Sequence, residues 1–281
     1  MTLADQDAWS GRKHTVKVGG SDIAYVEIAG REPALLLVHG FTDTSRSFSL
    51  VAPQLAGRRL IIPDLPGHGA SPAGPHDVTP AGLAQALAGL IERLGLDRPI
   101  VVGHSLGGMI AIELAASRPE TVGGLVLLAT TLRAEIGEAD PMTAGVLSLT
   151  DPISPADPFY AYWHACEAPV APDFLAHAAA EASAMPAARW RAVFAAIRDA
   201  DLTETARRIQ ARTLIVSGGR DPLFDTTHRD RLRSAIPAAS TVEAGQCGHN
   251  VHWEAPALVA SAVLGHVDAL AAEADGSRAP A

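Results

Sequence analysis

The stretch Ile100-Val101-Val102-Gly103-His104-Ser105-Leu106-Gly107-Gly108 decides the fold. Its first three residues are apolar and predict a short buried strand, and the segment Leu106–Ser117 is helical in character. The turn between them is tight, because Gly103 and Gly107 lack side chains and let neighbouring backbone pass close by. Such a turn puts Ser105 in a strained conformation and places its hydroxyl at the N-terminus of the helix, where free N–H groups favour negative charge. The other interpretation is a glycine-rich turn in which the serine is incidental.

Outward from this stretch, strand-like and helix-like segments alternate along the chain. Strands that are apolar throughout and separated by helices indicate a parallel sheet covered on both faces, so we predict an α/β fold. The other predicted strands are Lys13–Val18, Asp22–Ile28, Ala34–Val38, Leu60–Ile62, Leu125–Ala129, Thr213–Val216 and Thr241–Glu243. The other predicted helices are Pro80–Leu94, Thr227–Ala235 and Pro256–Ala272.

The alternation is interrupted once, from about Thr130 to Ala211, where proline-punctuated helical segments replace any strand. We predict a helical cap at residues 131–210, inserted after the sixth strand into a core formed by residues 1–130 and 211–272, and a flexible tail at 273–281. The aromatic rings of this span either face a pocket or only pack the cap on the sheet. More than half of the chain's aromatic residues lie there: Phe159, Tyr160, Tyr162, Trp163, Phe174, Trp190 and Phe194.

Composition excludes several classes of protein. With 48% hydrophobic and 19% charged residues among 281, the chain is too apolar for a disordered protein and long enough for one large domain with an insertion. A net charge of −9 and the lack of a basic run predict that no nucleic acid is bound. Cys166 and Cys247 lie far apart, which favours a reducing compartment. Nothing in the composition points to an oligomeric state.

No targeting or membrane segment is predicted. The N-terminus has two early acidic residues and lacks the apolar core of a secretory signal. The longest apolar runs, Ala34–Val38 and Gly124–Ala129, are far shorter than the roughly 20 residues of a membrane span. We therefore expect a cytoplasmic protein without a membrane partner.

A serine hydroxyl attacks a carbonyl only when a base removes its proton and an acid orients that base. His249 lies in a glycine-flanked loop just after the last predicted strand and is the candidate base, with His252 as its competitor. Asp221 follows the strand Thr213–Val216 and is the candidate acid, with Asp225 as the weaker substitute.

A tetrahedral intermediate also needs backbone donors for its oxyanion. One is predicted to be the N–H of Leu106, after the serine, and the other the N–H of Phe41, in the loop after the strand Ala34–Val38. The Phe41 ring would wall the acyl pocket, unless it is a plain core aromatic. His39 is interpreted as a structural, hydrogen-bonding residue. The remaining candidate pocket residues are His104, Tyr160, Trp163 and Trp190.

These motifs resemble the α/β-hydrolase superfamily, from about Lys13 to Ala269 apart from the cap. The resemblance rests on His39-Gly40-Phe41, the turn Asp64–Ser71, Gly103–Gly108, Gly219-Arg220-Asp221-Pro222 and Gly248-His249, with the order Ser105, Asp221, His249. It implies an eight-stranded, mostly parallel sheet with an antiparallel first hairpin, and a Ser–Asp–His triad. Epoxide hydrolases and haloalkane dehalogenases of this superfamily use Asp as the nucleophile, and Ser105 argues against both.

The resemblance leaves the substrate open. Gly108-Met109 is similar to esterases, lactonases, cofactor-free haloperoxidases and carbon–carbon bond hydrolases alike. Because Arg46 and Arg220 are the only basic residues in the motif loops, we predict a serine hydrolase for a small to medium, largely uncharged carboxylic ester or lactone. A carbon–carbon bond hydrolase of a ring-cleavage diketone and a small-ligand receptor on the same fold are the alternatives. No cofactor is expected and no metal site is predicted, since His39, Asp64 and His68 lack a credible ligand geometry.

Overall fold

The computed structural model describes residues 5–74 and 78–276, with side chains as far as residue 273. Its centre is one eight-stranded sheet, and the predicted strands are confirmed, most of them longer than predicted by one to three residues at an end. The strands are β1 (Lys13–Val18), β2 (Ser21–Ile28), β3 (Arg31–Val38), β4 (Arg58–Pro63), β5 (Ile100–His104), β6 (Gly124–Leu128), β7 (Thr213–Gly218) and β8 (Ser240–Ala244).

The strands lie in the order β1-β2-β4-β3-β5-β6-β7-β8. Strand β2 pairs antiparallel with both β1 and β4, and every other neighbouring pair is parallel. The sheet is therefore mostly parallel and its first hairpin is antiparallel, as the resemblance implies. Strands β5 and β6 are buried along their whole length, because helices and loops cover both faces of the sheet.

Helices outside the insertion cover the two faces of the sheet. They are α1 (Pro80–Leu94), α2 (Leu106–Ser117), α8 (Thr226–Ala235), α9 (Val251–Glu254) and α10 (Pro256–Gly276). Helices α1 and α2 have the bounds that the sequence predicts. The Thr79 hydroxyl accepts the N–H of Gly82 at the start of α1, and Gly95, at φ 60°, ends it in the left-handed conformation.

Five helices and no strand lie between β6 and β7, as predicted for this span. They are α3 (Pro141–Ser148), α4 (Phe159–Trp163), α5 (Pro172–Ser183), α6 (Ala187–Asp199) and α7 (Thr203–Ala206). We call residues 129–212 the insertion. Most of its buried apolar residues, among them Tyr160 and Trp190, belong to the same apolar cluster as Phe41 and α2, so the insertion packs directly on the loops above the sheet.

Helix α10 differs from two expectations. It continues to Gly276, past the predicted end at Ala272, so residues 273–276 are helical and not part of a tail; residues 277–281 lie outside the described residues. The second difference concerns the expectation of no membrane segment. Among the described helices, α10 alone contains a segment, Pro256–Glu273, that is long and apolar enough to cross a membrane, with a mean hydropathy of 1.2. The same helix buries Val259 and Val263 in the apolar cluster on one face of the sheet, and 28% of the apolar segment is buried.

Candidate active site

Ser105 occupies the turn between β5 and α2 in a strained conformation, at φ 51° and ψ −116°. The strain is held by hydrogen bonds: the Ser105 N–H donates to Leu128 O at 3.0 Å, and the Thr130 hydroxyl donates to Ser105 O at 2.7 Å. A Cβ on Gly103 would lie 2.2 Å from Gly107 O, and one on Gly107 would lie 2.2 Å from Val38 O. Both glycines are therefore required by close backbone approach, as the sequence predicts.

Asp221 and His249 form a hydrogen-bonded pair at the ends of β7 and β8. His249 Nδ1 lies 3.0 Å from Asp221 Oδ2, and Asp221 Oδ1 accepts the N–H groups of Leu223 and Phe224 at 2.9 and 3.0 Å. Burial alone would raise the pKa of Asp221, but His249 and these N–H groups lower it overall, so the carboxylate is held ionised. Because the Asp221 carboxylate can only accept a hydrogen bond, His249 Nδ1 carries the ring hydrogen, and the lone pair of the neutral ring is on Nε2.

The two competing residues have other roles. Asp225 caps helix α8, where its Oδ1 accepts the N–H groups of Thr227 and His228. His252 is fully buried and its Nε2 lies 2.8 Å from the hydroxyl of Ser47. Neither contacts the Asp221–His249 pair through a hydrogen bond, so the geometry favours the first choices over both.

Ser105 and His249 line the same cavity, of about 280 Å³. Within the described part of the chain, no hydrogen bond joins the Ser105 hydroxyl to the His249 ring. Hydrogen bonds of this kind are often long in unliganded enzymes and shorten when substrate binds. The backbone N–H groups of Phe41 and Leu106 likewise donate to no acceptor among the described residues, so both are free to bind an oxyanion.

Among the described residues that line the cavity are four phenylalanine, tyrosine or tryptophan side chains and two carboxylates, with no lysine or arginine. Of the pocket residues predicted from sequence, His104 and Trp163 line it, with Phe41 and the Ser105–His249 pair. The lining that sequence reasoning missed is Asp43, Tyr162, His164, Ala165, Glu167, Pro222, Leu223, Asn250 and Trp253.

Tyr160 and Trp190 do not line the cavity, so the prediction was wrong for both. They pack behind its wall: the Trp190 ring contacts Phe41 edge-on with centroids 5.3 Å apart, and Tyr160 contacts Trp190 at 6.2 Å. Helical spacing shows which residues of an insertion share a face, but not which turn of the helix reaches the cavity. For Asp43 a signal existed, since it follows Phe41 by two positions in the same loop.

His39 is structural, as expected. Its Nδ1 lies 2.8 Å from Gly40 O, and its Nε2 accepts the N–H of Leu65 at 2.9 Å, which holds together the loops after β3 and β4. Burial, with His68 nearby, lowers the pKa of His39 to about 3, so the ring is neutral. His68 lies behind Phe41 and its Nε2 is 2.7 Å from Phe41 O. Both histidines therefore set the position of the Phe41 loop.

One group of buried or partly buried side chains combines the residue types that ligate metal ions, and the sequence analysis did not single it out. The group is Asp43, His104 and His252; one potential ligand atom from each lies within 4.8 Å of the others. These residues are remote in sequence, and only the fold brings them together. The prediction that the chain lacks a metal constellation considered His39, Asp64 and His68 and missed this group.

Residues 35–262, most of the chain, match the model of the alpha/beta hydrolase family. The chain belongs to the alpha/beta hydrolase family. The match runs from β3 into α10 and includes the strained serine turn, the Asp221–His249 pair and the insertion between them.

Relatives of this α/β hydrolase include lipases and esterases. It is 36% identical to lipase LipV of Mycobacterium tuberculosis over 124 residues, which are 44% of this chain and 47% of that protein. It is 42% identical to the pimeloyl-[acyl-carrier protein] methyl ester esterase of Chromobacterium violaceum over 110 residues, 39% of this chain and 41% of that protein. The aligned regions thus span less than half of these relatives' length.

Among solved structures, this α/β hydrolase is similar to a bacterial membrane phospholipase A, with a TM-score of 0.80 and 26% identity. The superposition covers 95% of this chain and 91% of that one. The likeness therefore includes the insertion as well as the sheet.

Proposed function

We propose that this α/β hydrolase is a serine hydrolase that cleaves a small to medium, largely uncharged carboxylic ester or lactone. The observation that carries the proposal is the strained Ser105 facing the same apolar cavity as the Asp221-bound imidazole of His249. Ser105 would be the nucleophile, His249 the base and Asp221 the carboxylate that orients the base, which are the three groups that acyl transfer by a serine requires.

The reaction follows from these positions. Ser105 Oγ attacks the substrate carbonyl while His249 Nε2 takes the hydroxyl proton, and Asp221 stabilises the imidazolium that forms. The N–H groups of Phe41 and Leu106 stabilise the oxyanion. His249 then returns the proton to the leaving alcohol, and water, activated by the same base, releases the acid from the acyl-enzyme.

Charge in the cavity supports an uncharged substrate. Asp43 and Glu167 line it, and the guanidinium of Arg220, which is not part of the lining, lies 3.9 Å from the Glu167 carboxylate. Two carboxylates in a partly buried cavity disfavour an anionic substrate. The volume of about 280 Å³ supports a small acyl group, and the names of the lipase and esterase relatives support an ester.

We further propose that the insertion acts as a cap over the site and that the catalytic acid, base and nucleophile act alone, without a cofactor. Tyr162 and Trp163 of helix α4 form the wall of the cavity on the insertion side. Tyr162 is 42% exposed and stands at the mouth, where an entering substrate would contact it.

The test is hydrolysis of p-nitrophenyl esters from acetate to octanoate by the wild type and by Ser105→Ala. We expect a chain-length optimum in the wild type and none in the variant, which removes only the attacking oxygen. Equal rates in both proteins would contradict the proposal. Lactones, a ring-cleavage diketone and ligand binding would then be assayed, in that order, for the alternatives.

A further inference from the structure

The side chains of Asp43, His104 and His252 meet beside the cavity, which the first two of them line. His104 Nε2 lies 3.1 Å from His249 O, and since a carbonyl only accepts, this nitrogen carries the ring hydrogen. His104 Nδ1 therefore carries a lone pair. It is buried, it has no hydrogen-bond partner among the described residues, and it lies 3.8 Å from Asp43 Oδ2.

The hydroxyl of Ser47 determines the state of the second ring. It donates its one hydrogen to Asp43 Oδ2 at 3.0 Å, so it accepts from Trp253 Nε1 at 3.0 Å and from His252 Nε2 at 2.8 Å. His252 Nε2 thus carries the hydrogen of that ring. Its Nδ1 keeps a lone pair, is buried and has no partner among the described residues.

Two imidazole lone pairs and a carboxylate are thus packed together, with the rings of His104 and His252 4.1 Å apart. Hydrogen-bond acceptors that face each other in a buried site repel one another. A cation placed between them attracts each acceptor and so makes the arrangement favourable.

We propose that Asp43, His104 and His252 bind one first-row divalent transition-metal ion, with zinc as the best fit. Two imidazole nitrogens and one carboxylate oxygen are a ligand set that zinc takes at about 2.0–2.2 Å, with a fourth position left open. Ligand atoms on such an ion are roughly 3.4 Å apart, whereas those of this group lie within 4.8 Å of one another, with 3.8 Å between His104 Nδ1 and Asp43 Oδ2, so the three side chains must move closer together to bind the ion. Asp43 and His104 also line the cavity, whereas His252 is fully buried.

This site is distinct from the Ser105–His249–Asp221 set, which makes no use of Asp43 or His252. Ser47 orients both of these residues and is buried with them. It therefore supplies the outer hydrogen bonds that metal-binding residues require.

The experiment is a metal titration of the full chain after treatment with a chelator, using cobalt and zinc chlorides as the probes. We expect one ion per chain and visible absorption of tetrahedral cobalt. Asp43→Asn and His252→Gln should each weaken binding by about 100-fold or more, since a lost ligand costs at least as much as a lost outer partner. Asp43→Asn keeps the shape of the side chain, so it carries the test if His252→Gln fails to fold.

Two controls separate the site from other histidines and from the proposed reaction. His266→Gln alters a buried histidine that lies 3.2 Å from Arg212 O, far from the group, and should bind metal as the wild type does. Ser105→Ala should abolish ester hydrolysis and keep the metal. Sub-stoichiometric binding by the wild type, or equal binding by Asp43→Asn and His252→Gln, would overturn the proposal and assign the space to a water molecule or a proton.

Discussion

His249 Nδ1 lies 3.0 Å from Asp221 Oδ2, although 28 sequence positions, helix α8 and strand β8 separate the two residues. The pair forms because β7 and β8 are parallel neighbours whose carboxyl ends reach the same edge of the sheet. Gly218 and Gly219 allow the two loops to touch: a Cβ on Gly218 would lie 2.0 Å from Gly248 O. The contact between Asp221 and His249 is thus a consequence of strand order.

Asp221→Asn should lower kcat for ester hydrolysis by about 10⁴-fold, because an amide at this position favours the wrong imidazole tautomer. Steady-state kinetics on the best p-nitrophenyl ester measure the effect, and KM should change little. The matched control is Asp225→Asn at the cap of α8, which should leave both kcat and stability close to those of the wild type, because asparagine caps a helix about as well as aspartate does. If Asp225→Asn were the slower enzyme, the assignment of the acid would be wrong.

Arg46→Ala should lower the free energy of unfolding by about 3–5 kcal/mol, because it leaves a mostly buried carboxylate unpaired. Arg46 Nη2 lies 2.7 Å from Glu181 Oε1 of helix α5, and Nη1 donates to Gln6 O at 2.6 Å. The residue thus ties the insertion to the N-terminal segment. It is 3% exposed and does not line the cavity.

Urea denaturation of Arg46→Ala measures this loss, and Arg133→Ala is the control. Arg133 pairs with Asp201 at 3.5 Å, but both side chains are 53% exposed, so that change should cost no more than about 1 kcal/mol. Similar losses in the two variants would show that the buried ion pair does not hold the insertion in place.

Gly103→Ala should prevent correct folding of the strained turn, since the new methyl group would lie 2.2 Å from backbone atoms of Gly107. We expect insoluble protein, or a loss of stability that exceeds the 1–3 kcal/mol of ordinary overpacking. Gly137→Ala is the control, because its Cβ would meet nothing within 4 Å. Soluble expression and thermal unfolding compare the two, and wild-type behaviour of Gly103→Ala would contradict the close approach.

Trp163→Ala should shift the preferred p-nitrophenyl ester to a longer acyl chain, because it removes an indole from the cavity wall. The control is Trp190→Phe, which changes a ring behind that wall and should leave the optimum where it is. Rates across the acetate-to-octanoate series give the result. An optimum that moves in Trp190→Phe alone would mean that the acyl group lies elsewhere.

Local patterns explain why much of the fold was predictable. The bounds of α1 and α2 follow from residues that act within one turn, such as Pro80 in the first turn of α1 and Gly95 at its end. Each strand between helices is recognised by its own apolar run. The end of α10 was missed because Glu273 and Ala274 are compatible with a helix as well as with a tail.

The residues of the candidate site likewise fall into those that local sequence patterns predict and those that they do not. Ser105, Asp221 and His249 each follow a predicted strand, so their types and order were sufficient to propose them. Of the four predicted pocket residues, His104 and Trp163 line the cavity, whereas Tyr160 and Trp190 pack behind it. Which ring of an insertion faces a cavity depends on how its helices dock, and docking leaves no local signal.

The sequence by itself determined the strand–turn–helix at Ser105, the alternation that builds the sheet and the chain order of serine, acid and base, because these depend on neighbouring residues. Only the tertiary structure decided that Asp43, His104 and His252 meet, and that Arg46 reaches Glu181 in the insertion. Such contacts join segments that are distant along the chain. They exist only when strand order and helix docking have closed the distance between them.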